Sequence, residues 1–338
     1  MNSPTSSFEE AALWGRCLKA FVGVVVGGGM LIFAFLAAVD PYDSGRFGWL
    51  GIHGVDDRAA ALADASRARD PQFDSAIISN STGQRLSPAE LSQATGLHFA
   101  QLAAPGADPR GQLAILDFFI RHHSHFGAVV VVADMPWCTH AQEMASGNPF
   151  PFWLYDEDNR VAYAGRIFSW RGIGHAIQRV MLGLGWPRRN PADGAFNYEE
   201  HFPPNLHPAA STQSGPAQPA FTGTIDEPFP VVALLADEIK KLPADAAVVL
   251  MVPPTFYTIV PSPGSREAAE QAACDAALQT IVAGRANGRF IDYRVDNALT
   301  RDPQNFVDLI HYRLLIARKI QEGIAASIRQ GAAAAVAF

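Results

Sequence analysis

Cysteine is scarce in this chain: 338 residues carry only Cys17, Cys138 and Cys274. There is no CxxC and no metal-ligand spacing, so neither a disulfide framework nor a zinc site is expected. Charge is also sparse, at 17% of residues, and the basic excess of a general nucleic-acid binder is missing, the net charge being -7. The glycines of "VGGGM" are not followed by GK[ST], so they form no phosphate loop. No internal repeat is visible. Apolar side chains are plentiful, at 49%. That is enough for a sizeable core and argues against global disorder.

The longest apolar run is Ala20 to Val39, twenty residues without a charge. At about 1.5 Å per residue it spans the roughly 30 Å hydrocarbon core of a bilayer. It shows no polar face, as a buried helix of a soluble protein would. "FLAAVDP" fits a signal cleavage site poorly because Leu36 occupies a small-residue position. The expectation is an uncleaved anchor over residues 20–39. Arg16 and Lys19 precede it and Asp40 and Asp43 follow it. The positive-inside rule then keeps residues 1–19 in the cytoplasm and puts the rest outside the plasma (inner) membrane, in the periplasm where there is one.

After the anchor, Pro/Gly-punctuated residues 40–69 read as a membrane-proximal linker, with a short Ala-rich helix over 56–69. Strand and helix patterns then alternate. "SAIIS", "HFAQLA", "GAVVVVADM", "AAVVLMVPP" and "RFIDY" read as strands. The first, third and fourth are apolar runs of the kind that parallel strands buried on both faces show. Helices are expected from "SPAE" at Ser87 to Glu90, which matches a capping box. Further helices are expected over 109–122, 230–241, 266–286 and 312–329. Alternation of this kind means an α/β fold, a parallel sheet with helices on both faces. Residues 138–225 interrupt the rhythm and read as an insertion with a helix over 171–184. Residues 331–338 form a tail.

Sites in open parallel sheets form at the carboxyl ends of the strands. "SNST" follows the first strand, "APGADP" the second and "ADMPW" the third. Near the C-terminus, "NFVDLIHYR" sets Asp308 and His311 three apart, which puts a carboxylate and an imidazole on one side of a turn. A serine at the first strand's end, facing that pair, would complete a nucleophile, base and orienting acid. Taken singly, Ser81 reads as a helix N-cap and Asp308/His311 as a surface pair. Their chain order and placement favour the catalytic reading. "RHHSH" at 121–125 has three histidines at a helix end and reads as solvated or capping rather than metal-binding. The aromatics of "NPFPFWLYDED" and "RIFSW" line a groove or form the insertion's own core, with core slightly favoured.

In these blocks the chain resembles the SGNH (GDSL-like) hydrolase superfamily, over about residues 70–138 and 243–330. Its anchor-then-exported-domain layout resembles that of the D-alanyl-lipoteichoic-acid biosynthesis and polysaccharide O-acetylation families. The resemblance implies a flavodoxin-like three-layer sandwich over residues 70–330. It makes Ser81 the nucleophile, His311 the base and Asp308 its carboxylate. The N–H groups of Ser81 and Gly106 become the oxyanion hole. It also implies ester chemistry on an envelope or exported polysaccharide, with a membrane-bound O-acyltransferase or a glycan as partner, and no metal or cofactor. Two positions depart from the family. Ser79 stands for the usual first-block glycine. Asp134 stands where an oxyanion-donating asparagine is common, and with Trp137 it reads as substrate-binding or structural. The alternative reading is a catalytically inactive binding or partner protein on the same fold.

Overall fold

A computed structural model describes residues 5–57, 59–140, 150–209 and 220–330. Five strands form one all-parallel sheet: β1 (Ser75–Ser79), β2 (Phe99–Ala103), β3 (Ala128–Val132), β4 (Ala247–Val252) and β5 (Gly288–Asp292). Their spatial order is β2-β1-β3-β4-β5, the flavodoxin-like order expected. β1 to β4 are buried along their whole length, which is why β1, β3 and β4 read as apolar runs rather than alternating ones.

The helices follow in chain order as α1 (Thr5–Val39), α2 (Ala60–Ala68), α3 (Pro88–Thr95), α4 (Pro109–His122), α5 (Phe152–Tyr155), α6 (Arg160–Ile167), α7 (Trp170–Gly183), α8 (Pro230–Lys240), α9 (Arg266–Ala283), α10 (Ala298–Arg301) and α11 (Leu314–Gln330). Two cores sandwich the sheet. Ala76, Ile78, Val129, Val131 and Leu250 face α2, α4, α8 and α9. Ile77, Val130, Val132, Val249 and Met251 face α3 and α11, through Leu91, Ile316 and Ile320. One-residue alternation along each strand feeds both layers.

The helix over "SPAE" forms with half of its capping box. Ser87 Oγ accepts from the Glu90 N–H at 3.2 Å. The Ser87 N–H, which Glu90 would have taken, instead donates to Gln321 Oε1 at 2.8 Å. Gln321 Nε2 in turn donates to Glu90. The cap is completed by a glutamine 234 positions away, and α11 is thereby locked to α3.

α1 is long and apolar enough to cross a membrane, from Glu10 to Val39. It begins well before residue 20, and its C-terminal end is not free. Leu36 and Val39 are fully buried in the first core. Residues 40–69 are therefore not a linker. Asp40, Tyr42, Asp43 and Ser44 are buried, Asp40 and Asp43 at left-handed φ angles of 52° and 49°. Asp43 ion-pairs with Arg69 at 2.9 Å and with Arg179 at 3.0 Å. Arg179, only 1% exposed, also donates to the carbonyls of Val39 and Asp40 at the helix terminus. These carbonyls have no partner within α1, so the guanidinium acts as its C-terminal cap. The turn residues of "DPYDSG" form a turn, as their types require, but a buried one held by distant arginines.

The insertion also belongs to the body of the domain. Leu154, Tyr155, Tyr163 and Ile167 complete the first core. The Gln101 N–H on edge strand β2 donates to Asp193 O at 2.7 Å, so the insertion covers that edge. Two of the three cysteines are paired, contrary to expectation. Cys138 and Cys274 form a disulfide with a Cα–Cα distance of 5.6 Å, joining the turn after β3 to α9 across 136 positions. Cys17 is free.

Candidate active site

The sheet brings three carboxyl-end turns together. After β1 the chain enters a short 3-10 turn, Ser81–Gly83. Asn80, not Ser81, is its N-cap, with Oδ1 accepting from the Thr82 N–H at 2.9 Å and from Thr82 Oγ1 at 2.8 Å. This frees Ser81 from the structural duty that a lone serine after a strand suggests. Ser79 is fully buried beneath Gly83. A Cβ on Gly83 would lie 2.5 Å from Ser79 Cβ, so a side chain at position 83 would force the turn apart.

Asp308 and His311 sit in a tight loop rather than on α11. The Phe306–Tyr312 bridge closes it, with the Val307 N–H donating to His311 O at 2.8 Å. Asp308 Oδ1 accepts from the N–H groups of Ile310 and His311, both at 2.9 Å. Asp308 Oδ2 lies 2.7 Å from His311 Nδ1, and His311 Nε2 lies 3.0 Å from Ser81 Oγ. An ionised carboxylate only accepts, so Nδ1 carries the proton and Nε2 presents its lone pair to the serine. Burial raises the Asp308 carboxyl, but the His311 hydrogen bond and the two backbone N–H groups outweigh it, and its pKa falls below the ordinary carboxylate value. Asp308 is thus ionised wherever an esterase would work.

Gly106 lies at the exposed tip of the "APGADP" turn at φ 72°, a conformation that a glycine accepts without strain. The β1–β2 register pairs Ser79 with Ala103, and the Ala104 N–H donates to Ser79 O at 3.0 Å, so this turn lies beside the serine turn. Neither the Ser81 nor the Gly106 N–H forms a backbone hydrogen bond among the described residues.

Asp134 does not join the triad. It is 9% exposed, and its Oδ2 accepts from Asn80 Nδ2 at 2.6 Å. Burial raises its pKa to about 6, against the lowering effect of the Asn80 bond and of the Arg294 charge. Asp134 braces the serine turn through Asn80. Trp137, expected beside it as a substrate contact, is fully buried in the first core and offers no surface to a ligand. In "RHHSH", His122 and His123 bond the carbonyls of Phe118 and Phe119 on their own helix. Among the described residues no group of three or more His, Cys, Asp or Glu side chains could hold a metal ion.

The insertion supplies residues that the sequence does not announce. The Tyr198 hydroxyl donates to Tyr312 O, and its ring meets His311 edge-on at 5.4 Å. Glu199 Oε1 accepts from Arg85 Nε at 2.6 Å and from the Leu314 N–H at 3.0 Å, and Oε2 from Arg313 at 3.3 Å. Glu199 therefore ties the residue four after the serine to those two and three after the histidine. Nothing local in "FNYEEH" marks it, because its partners are over a hundred positions away.

Ser81, His311 and Asp308 are linked in the order that general-base activation of a serine requires. No protein-family model matches the chain, and no curated protein matches it in sequence.

Proposed function

We propose that this chain is a membrane-anchored serine esterase or O-acyltransferase of the SGNH type, acting outside the cytoplasm on an acyl ester of an envelope or exported polysaccharide. The observation that carries the reading is His311 bridging Ser81 at 3.0 Å and Asp308 at 2.7 Å, from positions 230 apart in sequence. A surface Asp–His pair needs no serine, and a capping serine needs no histidine.

In this reading Ser81 Oγ attacks the ester carbonyl while His311 Nε2 takes its proton. Asp308 holds the imidazole in the required tautomer and stabilises the imidazolium. The Ser81 and Gly106 N–H groups receive the oxyanion, and each such donor is typically worth about 10²–10³ in rate. His311 returns the proton to the leaving oxygen, and an acyl-Ser81 ester remains. Water or a sugar hydroxyl, deprotonated by His311, then releases the acyl group. Hydrolysis and transfer differ only in that second acceptor. Asp134 stays clear of the oxyanion because Asn80 holds its carboxylate, which leaves a two-donor hole.

Three features support the setting. The apolar helix α1 suits an anchor, and Arg16 and Lys19 before it favour a cytoplasmic N-terminus. The Cys138–Cys274 disulfide suits an oxidising compartment. The acceptor class and an acyltransferase partner rest on the family resemblance.

The test is hydrolysis of a small chromogenic acetyl ester by the detergent-solubilised full chain. Ser81→Ala and His311→Ala should each abolish turnover to near background, a loss on the order of 10³-fold or more. Turnover undiminished by Ser81→Ala would refute the assignment. A folded wild-type chain inert toward all acyl esters would favour the binding-protein alternative.

A further inference from the structure

The corner between α6 and α7 carries apolar side chains that nothing among the described residues covers. Along α7, Trp170, Gly174, Ile177, Met181 and Leu184 recur at intervals of four and three, which is one face of a helix. Trp170 is 87% exposed, Leu184 75% and Ile177 51%, and Phe168 in the corner is 50% exposed. The opposite face, with His175, Ala176 and Arg179, is buried. A helix on the wet surface of a domain would carry polar residues on its outer face.

Two contacts set the height of this helix relative to α1. The Phe168 ring lies 6.4 Å from that of Phe33, inside the apolar span. Phe33 is six residues before Val39, about 9 Å toward the membrane along the helix axis. Arg179 then meets the carbonyls of Val39 and Asp40 at the helix end. The start of α7 therefore lies beside the last turns of the span, and α7 rises from there past the end of α1.

We propose that the α6–α7 corner is inserted into the outer interfacial layer of the same bilayer that α1 crosses. The inference rests on α1 being the anchor. Phe168 and Trp170 form the inserted tip, the residue types that settle at the headgroup level. Arg166 and Arg171 flank the tip, both exposed and neither in a salt bridge among the described residues, placed to meet phosphate headgroups. The bilayer is the occupant because the patch is continuous with α1 through the Phe33–Phe168 contact and because arginines border its aromatic tip. The domain is thus held on the membrane at two adjacent places and cannot swing freely about a tether.

The test uses the full chain with Cys17→Ser in nanodiscs of phosphatidylethanolamine and phosphatidylglycerol. Single nitroxide labels are placed at Trp170→Cys and Ile177→Cys, with Val24→Cys in the span and Asp237→Cys on α8 as controls. All four side chains point away from the fold. The expected result is that position 170 favours collision with oxygen over a water-soluble nickel reagent, as position 24 does, with the preference inverted at position 237. Position 170 behaving like 237 while 24 remains in lipid would overturn the insertion alone. Position 24 behaving like 237 would overturn the anchor itself, and the insertion with it. Position 170 open to nickel in pure lipid but shielded in native membranes would show a protein partner there instead, which also overturns the proposal.

Discussion

Asp134→Asn should stabilise the protein at neutral pH and not at acid pH. The carboxyl is buried, one oxygen is held by Asn80 and the other, Oδ1, has no partner among the described residues. Burial lifts its pKa from 3.8 to about 6. The folded state thus binds this proton more tightly than the unfolded state does. Stability from this group is highest below about pH 4 and falls as pH rises toward 6. Above that it stays lower by about 3 kcal/mol, at 1.36 kcal/mol per pK unit. Asparagine keeps the acceptor for Asn80 and removes the titration. Its NH2 group replaces the unpartnered oxygen and costs on the order of 1 kcal/mol at every pH. The signature is therefore a slope. Urea unfolding of wild type and variant at several pH values between 4 and 8, followed by tryptophan fluorescence, should give curves that diverge with rising pH. The variant should gain up to about 2–3 kcal/mol relative to wild type between the two ends. Parallel curves would refute the reasoning, because they would mean that Asp134 titrates as an ordinary carboxyl.

Reducing the Cys138–Cys274 disulfide, or replacing both cysteines by serine, should cost about 2–5 kcal/mol, since it closes a loop of 136 positions. Thermal melts with and without reductant check this, and a denatured unreduced chain titrating three thiols instead of one would contradict the pairing. Deleting residues 1–40 should destabilise the domain by several kcal/mol. Leu36 and Val39, each worth about 1.5–3 kcal/mol when buried, leave the core, and Arg179 loses its carbonyl partners; an unchanged melting temperature for residues 41–338 would count against the docked helix end. Cys17 should react with a membrane-impermeant maleimide in inverted vesicles and resist it in spheroplasts, and the reverse pattern would invert the orientation.

The strands and the triad were legible for different reasons. β1 to β4 are buried on both faces, so local composition alone reveals them, and a parallel sheet then dictates which turns meet. Ser81, Asp308 and His311 became readable through that topology and their resemblance to known blocks. What stayed hidden depends on pairings between distant residues. Asp40 and Asp43 look like solvated turn residues until Arg69 and Arg179 bury them. Cys138 and Cys274 share no spacing motif, so their bond follows only from the packing of α9. Tyr198 and Glu199 lie in a stretch without periodicity, yet they hold the histidine loop and the serine turn together. Trp137 misleads for the converse reason: an aromatic next to a strand end suits a ligand groove or a core equally well, and only packing decides.

The proposed chemistry depends on Ser81 being a nucleophile activated by His311. The most direct measurement is labelling of the solubilised full chain with a fluorophosphonate, followed by mass spectrometry of the modified peptide. One adduct is expected, on Ser81, lost in Ser81→Ala and strongly slowed in His311→Ala. An adduct on another serine, or labelling that survives Ser81→Ala, would contradict it.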